Sequence, residues 1–374
     1  MRIAIVHSFY RESSPSGENQ VVQDQIALLR QAGHEVHLIS RHSDTEMRKP
    51  LYGLRSSIRV ATGWGSDPLR ELEALDPDIV HIHNLFPNFG TSWLERWRGP
   101  IVATMHNFRS LCSNGFLYRN GDTCFECTLG NPWPGIKHGC YRDSVVATIP
   151  VAISISRTGH MNPVLKRADA IICLSKVSAD IFASTGVPSK RLTVIPNPLQ
   201  DPKQEIRSDG QRWLYSGRLS EEKGIAQLVR NWPEEAEPLD VVGQGPLLSE
   251  IEGIRPFNVH VLGPLDRNEL LERMPHYRGL LVPSRWIEVQ PTVVTEALAC
   301  GLPIIAYAGN SAAALVTGLN VGTVYDSNAR LGWALAEVIA GGTQLRRHCR
   351  ETYETVFDAE SWQLAISHTY GCII

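Results

Sequence analysis

The stretch RIAIVHSFYRESSPSGENQVVQDQIALLRQAGHEVHLIS (residues 2–40) decides the fold. It opens with a continuously apolar segment that is typical of a buried strand. The segment ENQVVQDQIALLRQA (18–32) has apolar residues at helical spacing, and Gly33 follows as a C-cap. HEVHLIS (34–40) is a second apolar strand. Two strands that flank one helix form a βαβ unit, which predicts a parallel sheet.

The same alternation continues along the chain. Four more apolar segments predict strands in the first half: DIVHIHN (78–84), PIVATMHN (100–107), AIICLS (170–175) and LTVIPNP (192–198). The polar stretch 199–212 has the composition of an interdomain linker. After it the pattern restarts with the segments WLYSGRL, PLDVVGQ, VHVLGPL, GLLVPSR, PIIAYA and GTVYD.

This order predicts an α/β protein with two doubly wound, Rossmann-like domains that face each other across a cleft. The predicted N-terminal domain is 1–198, the linker is 199–212 and the C-terminal domain is 213–355. The last segment, 356–374, is predicted to be a helix that crosses back to the N-terminal domain. Ligands of such sheets bind at the carboxyl ends of the strands.

Composition narrows the class of protein. The chain has 374 residues, 43% apolar and 20% charged, with a net charge of −3, which gives no general attraction for nucleic acid. Residues 1–198 contain 21 Lys and Arg against 17 Asp and Glu, so the first half is mildly basic. The N-terminus lacks the pattern of a signal peptide, and the apolar run 145–156 is too short to span a bilayer. We therefore expect a cytoplasmic protein.

Four of the eight cysteines lie in one loop, residues 112–140: Cys112, Cys124, Cys127 and Cys140. Disulfides are rare in a reducing cytosol, so the pattern favours a structural zinc site, with His138 as a substitute ligand, or free thiols packed as small apolar groups. A zinc-dependent nucleic-acid module is disfavoured because Asp122 and Glu126 nearly balance the cations of the loop.

The strongest functional motif is EVQPTVVTEALACGLPIIA (288–306). Pro291 favours a loop or a first helical turn, which places Glu288 before a helix and Glu296 about a turn and a half inside it. Both carboxylates can then face one ligand, and the helix N-terminus offers N–H groups to an anion. The alternative interpretation is that Glu288 and Glu296 are two solvated acids that flank the start of a helix and bind no ligand.

A second motif, YSGRLSEEKG (215–224), is a strand and a glycine turn followed by Arg218 and Lys223. A guanidinium and an ammonium at the carboxyl end of a strand suit a pyrophosphate. A charged surface turn is the alternative interpretation.

Together the two motifs resemble the donor site of the retaining GT-B glycosyltransferases called family 4, which transfer a sugar from a nucleoside diphosphate to an acceptor. Four further segments resemble the family in the same order: SPSGENQVV (14–22), TMHNFRSLC (104–112), GQGPLLSEI (243–251) and VLGPLDRNEL (261–270). The resemblance therefore covers nearly the whole chain. It departs from the family at Ser16, where a glycine is usual, and at Val289, which also replaces a glycine and puts the donor sugar in doubt.

The resemblance implies a role for each matching residue. His106 and Glu288 are the implied catalytic residues, with Glu288 holding sugar hydroxyls and His106 beside the transferred sugar. Glu296 would bond the ribose hydroxyls, and backbone near Leu265 would meet the base. The remaining donor-binding residues that it implies are Gly17, Arg218, Lys223, Gly263, Val289, Gln290, Pro291 and Thr292.

The expected reaction is a front-face transfer that retains configuration, with no cofactor needed for catalysis because two cations replace a metal. The expected donor is a UDP or GDP sugar. The expected acceptor is a glycan, a lipid-linked or a small molecule, with a peripheral contact at the inner membrane face through the N-terminal domain and no nucleic-acid partner. A nucleotide-sugar epimerase or hydrolase of the same fold and a non-catalytic sugar-binding protein are the alternatives.

One prediction concerns metal binding on a strand. The imidazoles of His81 and His83 are expected to point to opposite faces, which disfavours a metal shared by the two rings.

Overall fold

The computed structural model describes residues 1–11, 17–157, 161–207 and 209–374. The chain divides into two compact units. The first unit comprises Met1–Leu117, Cys124–Pro198 and Trp362–Ile374, and the second comprises Tyr118–Thr123 and Leu199–Ser361. The polar stretch 199–212 thus belongs to the second unit.

The first half of the chain supplies eight strands and eight helices within its described residues. The strands are β1 (Arg2–Phe9), β2 (Glu35–His42), β3 (Ile79–Asn84), β4 (Ile101–Met105), β5 (Tyr118–Arg119), β6 (Asp122–Thr123), β7 (Ala170–Cys173) and β8 (Leu192–Val194). The helices are α1 (Gly17–Gln31), α2 (Ser43–Glu46), α3 (Tyr52–Thr62), α4 (Leu69–Leu75), α5 (Trp133–Lys137), α6 (Val145–Ile155), α7 (Pro163–Arg167) and α8 (Lys176–Ser184).

The sheet of the first unit has six parallel strands in the order β2-β1-β3-β4-β7-β8. Strand β1 is paired on both sides: Ile3 lies opposite Val36 on one side and Ile79 on the other. All six residues of β3 are buried, including the polar residues His81, His83 and Asn84, as expected for a strand that is covered on both faces. The short strands β5 and β6 form a separate antiparallel pair that groups with the second unit.

The second half supplies another six strands and seven helices in the part of it that the structure describes. The strands are β9 (Trp213–Ser216), β10 (Leu239–Val242), β11 (Val259–Gly263), β12 (Leu280–Val282), β13 (Ile304–Tyr307) and β14 (Gly322–Tyr325). The helices are α9 (Ile225–Arg230), α10 (Leu248–Ile254), α11 (Arg267–Arg273), α12 (Thr292–Ala299), α13 (Ser311–Leu319), α14 (Asn328–Thr352) and α15 (Ala359–Gly371).

The sheet of the second unit has the order β11-β10-β9-β12-β13-β14. It differs from the first sheet in that two strands, β10 and β11, lie on one side of its first strand, where the first sheet has only β2 beside β1. Its two faces are covered by two apolar clusters. Leu214 belongs to one cluster, whereas its neighbours Trp213 and Tyr215 belong to the other, as expected for side chains that alternate along a strand. The predicted α/β fold with two doubly wound sheets is confirmed.

Two glycines bring loops together at the carboxyl ends of these strands. Gly224 has φ +67°, and a Cβ there would lie 2.2 Å from the Pro283 carbonyl oxygen. Gly243 has φ +141°, and its Cβ would lie 1.9 Å from the Gly217 oxygen. Only glycine fits such contacts, so the turn that follows Lys223 packs directly on the loop that follows β12.

Across the described ranges, no helix is both long enough and apolar enough to cross a bilayer.

Candidate functional site

An ion pair joins the two strongest motifs in the second unit. Lys223 lies in the turn after β9, and Glu288 lies in the loop after β12, at the same edge of the sheet. The Lys223 Nζ is 2.9 Å from Glu288 Oε1, and it lies 5.4 Å from the centroid of the Trp286 ring. The structure therefore brings together two residues that the sequence assigned separately to diphosphate and sugar.

The Glu288 carboxylate is only 6% exposed. The Ser284 hydroxyl donates to its Oε1 at 2.5 Å, and the Ser311 hydroxyl donates to the Glu288 carbonyl oxygen. A buried carboxylate is costly unless it is paired and hydrogen-bonded, and here Lys223 and Ser284 compensate it. The contacts hold Glu288 in one position.

Helix α12 begins four residues after Glu288. Its N-cap is Pro291, which has no side-chain acceptor for the first N–H groups of the helix. The Gln290 amide donates to the Thr295 hydroxyl at 3.1 Å and so fixes the loop against the helix. The N-terminus of α12, beginning at Thr292, can thus offer N–H groups to an anion, while the side chain of Val289 is buried.

Glu296 forms a second ion pair, in which the carboxylate is buried and the arginine is exposed. The Arg267 Nε lies 2.7 Å from Glu296 Oε1, and Glu296 is 7% exposed. Arg267 is the first residue of α11, whose N-cap Asp266 accepts from the Glu269 N–H at 2.9 Å. Arg267 was not among the predicted site residues, although it lies inside the segment 261–270 that resembles the nucleotide pocket of the family.

The other predicted residues of the second unit occupy the ends of β9 and β11. Arg218 is exposed, its carbonyl accepts from the Tyr215 hydroxyl at 2.8 Å, and its guanidinium forms no ion pair with any residue that the structure describes. Burial, followed by nearby Glu288, raises the pKa of Tyr215 well above its usual value, so this phenol is neutral. Gly263 ends β11 and accepts from the Gly243 N–H at 2.9 Å, and Leu265 is partly buried against the core.

In the first unit, His106 follows β4 and meets His83 at the end of β3. The His83 Nδ1 and the His106 Nε2 are 2.9 Å apart, so one ring donates and the other accepts. Burial, with smaller contributions from His7 and His81, lowers the pKa of His106 to about 3. His106 is therefore a neutral imidazole at physiological pH.

The prediction that His81 and His83 point apart is wrong. Their rings stack with centroids 4.3 Å apart, because residues two apart on a strand share a face. His81 is held by hydrogen bonds of 2.7 Å to the Tyr370 hydroxyl and to the Thr104 hydroxyl.

A cavity of about 160 Å³ opens at the carboxyl ends of β3 and β4 in the first unit. His83, His106 and Asn107 line it together with Arg59 and Arg109. It thus lies where ligands of doubly wound sheets bind.

Glu18 connects this cavity to the first turn of α1. Its Oε2 accepts from the Asn107 amide at 3.2 Å. Burial raises the pKa of Glu18 to about 7, and the charge of Arg109 opposes that shift. Gly17, predicted to contact the donor, is the exposed first residue of α1, and residues 12–16 of its loop lie outside the described residues.

The structure does not support the predicted zinc site. The four cysteines of the loop, Cys112, Cys124, Cys127 and Cys140, are all free thiols. Within the described ranges, no group of three or more His, Cys, Asp or Glu side chains is arranged to hold a metal ion. The Cys112 thiol donates to the Asn114 side chain at 3.0 Å. Burial raises the pKa of Cys127 to about 11, and the other three cysteines of the loop contribute to this rise.

Two family models match the chain. Residues 15–201 match Glycosyltransferase Family 4, and residues 197–355 match Glycosyl transferases group 1. A search of curated proteins returns no significant match.

Several solved structures share the fold. The Anabaena protein HepE in complex with UDP is 16% identical, with a TM-score of 0.62 and 100% of both chains covered. A sucrose-phosphate synthase from Thermosynechococcus elongatus is 18% identical, with a TM-score of 0.68 over 99% of this chain and 98% of that chain. The lipopolysaccharide outer core galactosyltransferase WaaB is 16% identical, with a TM-score of 0.61 over 99% of this chain and 100% of that chain.

The two doubly wound sheets have the GT-B fold that these structures share. More specifically, the chain belongs to glycosyltransferase family 4.

Proposed function

We propose that this protein is a retaining glycosyltransferase that transfers a sugar from a nucleoside diphosphate sugar to an acceptor. The observation that supports this most directly is the Lys223–Glu288 pair, which places an ammonium and a buried carboxylate together at the strand ends of the second unit. HepE, which shares the fold, is described in complex with UDP and with UDP-glucose, so UDP is the nucleotide that we propose first.

The donor site that we propose uses groups of the second unit. Lys223 and Arg218 bind the diphosphate, and the N-terminus of α12 adds N–H groups to the same anion. Glu288 accepts hydrogen bonds from sugar hydroxyls when Lys223 turns to the phosphate. Glu296 accepts from the ribose hydroxyls, and its pairing with Arg267 fixes the direction of its carboxylate.

Catalysis in this proposal is mainly electrostatic. Charge develops on the leaving diphosphate, and fixed cations stabilise that charge without reorganisation at the moment of reaction. This is why we propose a reaction without a metal cofactor. Retention follows from attack on the face from which the phosphate leaves, and His106, as a neutral imidazole, keeps the role beside the sugar that the family resemblance implies.

A screen of UDP and GDP sugars tests the function. We expect one of them to bind and to be consumed in the presence of a glycan, lipid-linked or small-molecule acceptor, with the glycoside seen by mass spectrometry and its retained anomer by NMR. Donor alone is the control. An epimer or free sugar formed at full rate without acceptor would favour the epimerase or hydrolase, and binding without turnover would favour a sugar-binding protein.

Arg267→Gln tests the nucleotide subsite. Without its charged hydrogen bond from Arg267, Glu296 should contribute roughly 1.5–3 kcal/mol less to the free energy of donor binding. The KM for the donor should therefore rise about tenfold or more. The value of kcat should change less, because Arg267 acts on bound nucleotide rather than on the reacting bond. The matched control is Arg273→Gln, an exposed arginine of the same helix that pairs with Glu269. Equal effects of the two substitutions on KM would show that Arg267 has no specific role in the donor site.

A further inference from the structure

The loop after β13 is hydrogen-bonded to the loop after β12, which carries Glu288. Strands β12 and β13 are neighbours in the sheet of the second unit, with Val282 opposite Ala306, so the loops at their carboxyl ends lie side by side. At the point where the loop after β13 enters α13, Asn310 and Ser311 are 6% and 5% exposed. Polar side chains that are buried to this degree need partners, and both find them in the loop after β12.

The Asn310 side-chain amide contacts two elements at once. Its Oδ1 accepts from the Ala313 N–H at 2.8 Å, which makes Asn310 the N-cap of α13. Its Nδ2 donates to the Ser284 carbonyl oxygen at 2.7 Å and lies 3.5 Å from the Val282 carbonyl oxygen. One end of the amide faces a donor and the other end faces acceptors, so these partners define its orientation. Asn310 therefore attaches the start of α13 to the end of β12.

Ser284 connects this contact to the Glu288 carboxylate. Its carbonyl oxygen accepts from Asn310, and its hydroxyl donates to Glu288 Oε1 at 2.5 Å. Ser284 is only 3% exposed, so it is enclosed by protein on all sides. Asn310 therefore fixes the residue that orients the carboxylate.

Ser311 holds the peptide bond that follows Glu288. Its hydroxyl donates to the Glu288 carbonyl oxygen. In a trans peptide the C=O and N–H groups point in opposite directions, so the Val289 N–H points away from Ser311. A backbone N–H whose direction is fixed in advance is a preorganised donor for a ligand. The carboxylate of Glu288 and the peptide after it are thus both held from the start of α13.

We propose that Asn310 and Ser311 are positioning residues for the donor sugar. Asn310 acts through Ser284 on the direction of the Glu288 carboxylate, and Ser311 acts on the direction of the Val289 N–H. Neither side chain touches the sugar. Their role rests on the proposed function, in which Glu288 accepts hydrogen bonds from sugar hydroxyls.

Amide hydrogen exchange tests the contact between the two loops without any substrate. Asn310→Asp has the same shape and keeps an oxygen for the Ala313 N–H, but it replaces the donor to the Ser284 carbonyl oxygen by a carboxylate oxygen. Peptides from 283–291 should then exchange at least about tenfold faster than in the wild type, because local opening no longer breaks this hydrogen bond. Asn310→Ser, a shorter N-cap that also lacks the amide donor, should give the same result and serves if the buried carboxylate prevents folding.

The matched control is Asn320→Ala at the opposite end of the same helix. Asn320 is the exposed C-cap of α13 and has φ 56°, so alanine there strains the helix end without touching the loop after β12. Exchange of peptides 283–291 should stay at the wild-type rate in this variant. Wild-type exchange in Asn310→Asp and Asn310→Ser, or equally fast exchange in Asn320→Ala, would refute the role of Asn310.

Turnover tests Ser311 with a pair of variants that share one shape. Ser311→Thr keeps the hydroxyl that donates to Glu288, and Ser311→Val lacks it. Ser311→Val should have a kcat at least about tenfold below that of Ser311→Thr, because a shift of about 1 Å in a positioning group can cost about 10²-fold. The Kd of UDP should be the same in both, since Glu288 is proposed to meet the sugar. Equal kcat values, or a Kd of UDP that rises as much as kcat falls, would show that Ser311 only supports the fold.

These measurements distinguish failure of the positioning role from failure of the proposed function. If the wild type turns over no nucleotide sugar, the proposed function is wrong, and hydrogen exchange still decides whether Asn310 holds the loop of Glu288. Wild-type kcat in both Asn310→Asp and Ser311→Val would refute only the positioning role.

Discussion

Lys223→Met is expected to reduce kcat for sugar transfer by about a thousandfold. In the proposed site Lys223 is one of two cations on the leaving diphosphate, and removing one preorganised charge from such a site typically costs roughly 10²–10³ in kcat. Turnover measured at saturating donor and saturating acceptor gives this value directly. Lys176→Met, at an exposed lysine that pairs with Asp180, is the matched control and should leave kcat unchanged.

A structural role for Lys223 predicts a different pattern. Lys223→Met leaves the Glu288 carboxylate buried without its cation, which by itself costs about 3 kcal/mol of folding free energy at most, because Lys223 is partly exposed. The double variant K223M/E288Q removes both charges and should unfold near the wild-type midpoint. It should remain inactive if Lys223 acts on the diphosphate. Recovery of activity in the double variant would show that the Lys223–Glu288 pair has only a structural role, in holding the loop after β12 in place.

Much of the fold could be predicted from the sequence because the strands are buried on both faces. Strands β1 and β3 are buried almost without interruption, and each predicted βαβ repeat became part of a parallel sheet. The hairpin of β5 and β6 was not predicted, because strands of two residues leave no periodic pattern.

The site was predicted in part for a similar reason. Arg218, Lys223 and Glu288 follow strands, and the carboxyl ends of parallel strands share an edge. The pairing of Arg267 with Glu296, 29 residues apart, depends on how two helices pack, which spacing does not reveal.

Helix α3 shows a different limit of sequence reasoning. The pattern of Leu54 and Ile58 identifies an apolar helical face, and by itself such a face predicts burial in the core. Only the structure shows that Arg59 took the inward position instead. The stacked rings of His81 and His83 are a case in which the geometry was available in the sequence, since residues two apart on a strand share a face, and was misapplied.

Acidification is expected to destabilise the first unit by roughly 3–4 kcal/mol between pH 7.5 and 5.5. Burial lowers the pKa of His7 to about 4 and those of His81 and His106 to about 3, and it lowers that of His83 well below 6.5. Below pH 6.5 these histidines therefore bind protons in the unfolded chain but not in the folded protein, so the free energy of unfolding falls.

One group opposes this loss. The pKa of Glu18 is raised to about 7, so between pH 4.5 and 7 the folded protein holds a proton that the unfolded chain releases, which favours folding at the acid end.

Urea unfolding followed by tryptophan fluorescence at several pH values measures the slope of the free energy of unfolding against pH. Glu18→Gln should make the slope steeper. His81→Asn should make it shallower by about one proton, or about 1.4 kcal/mol per pH unit. His37→Asn, at an exposed histidine, should not change it. Equal slopes in the His81 and His37 variants would show that the buried histidines do not set the acid limit.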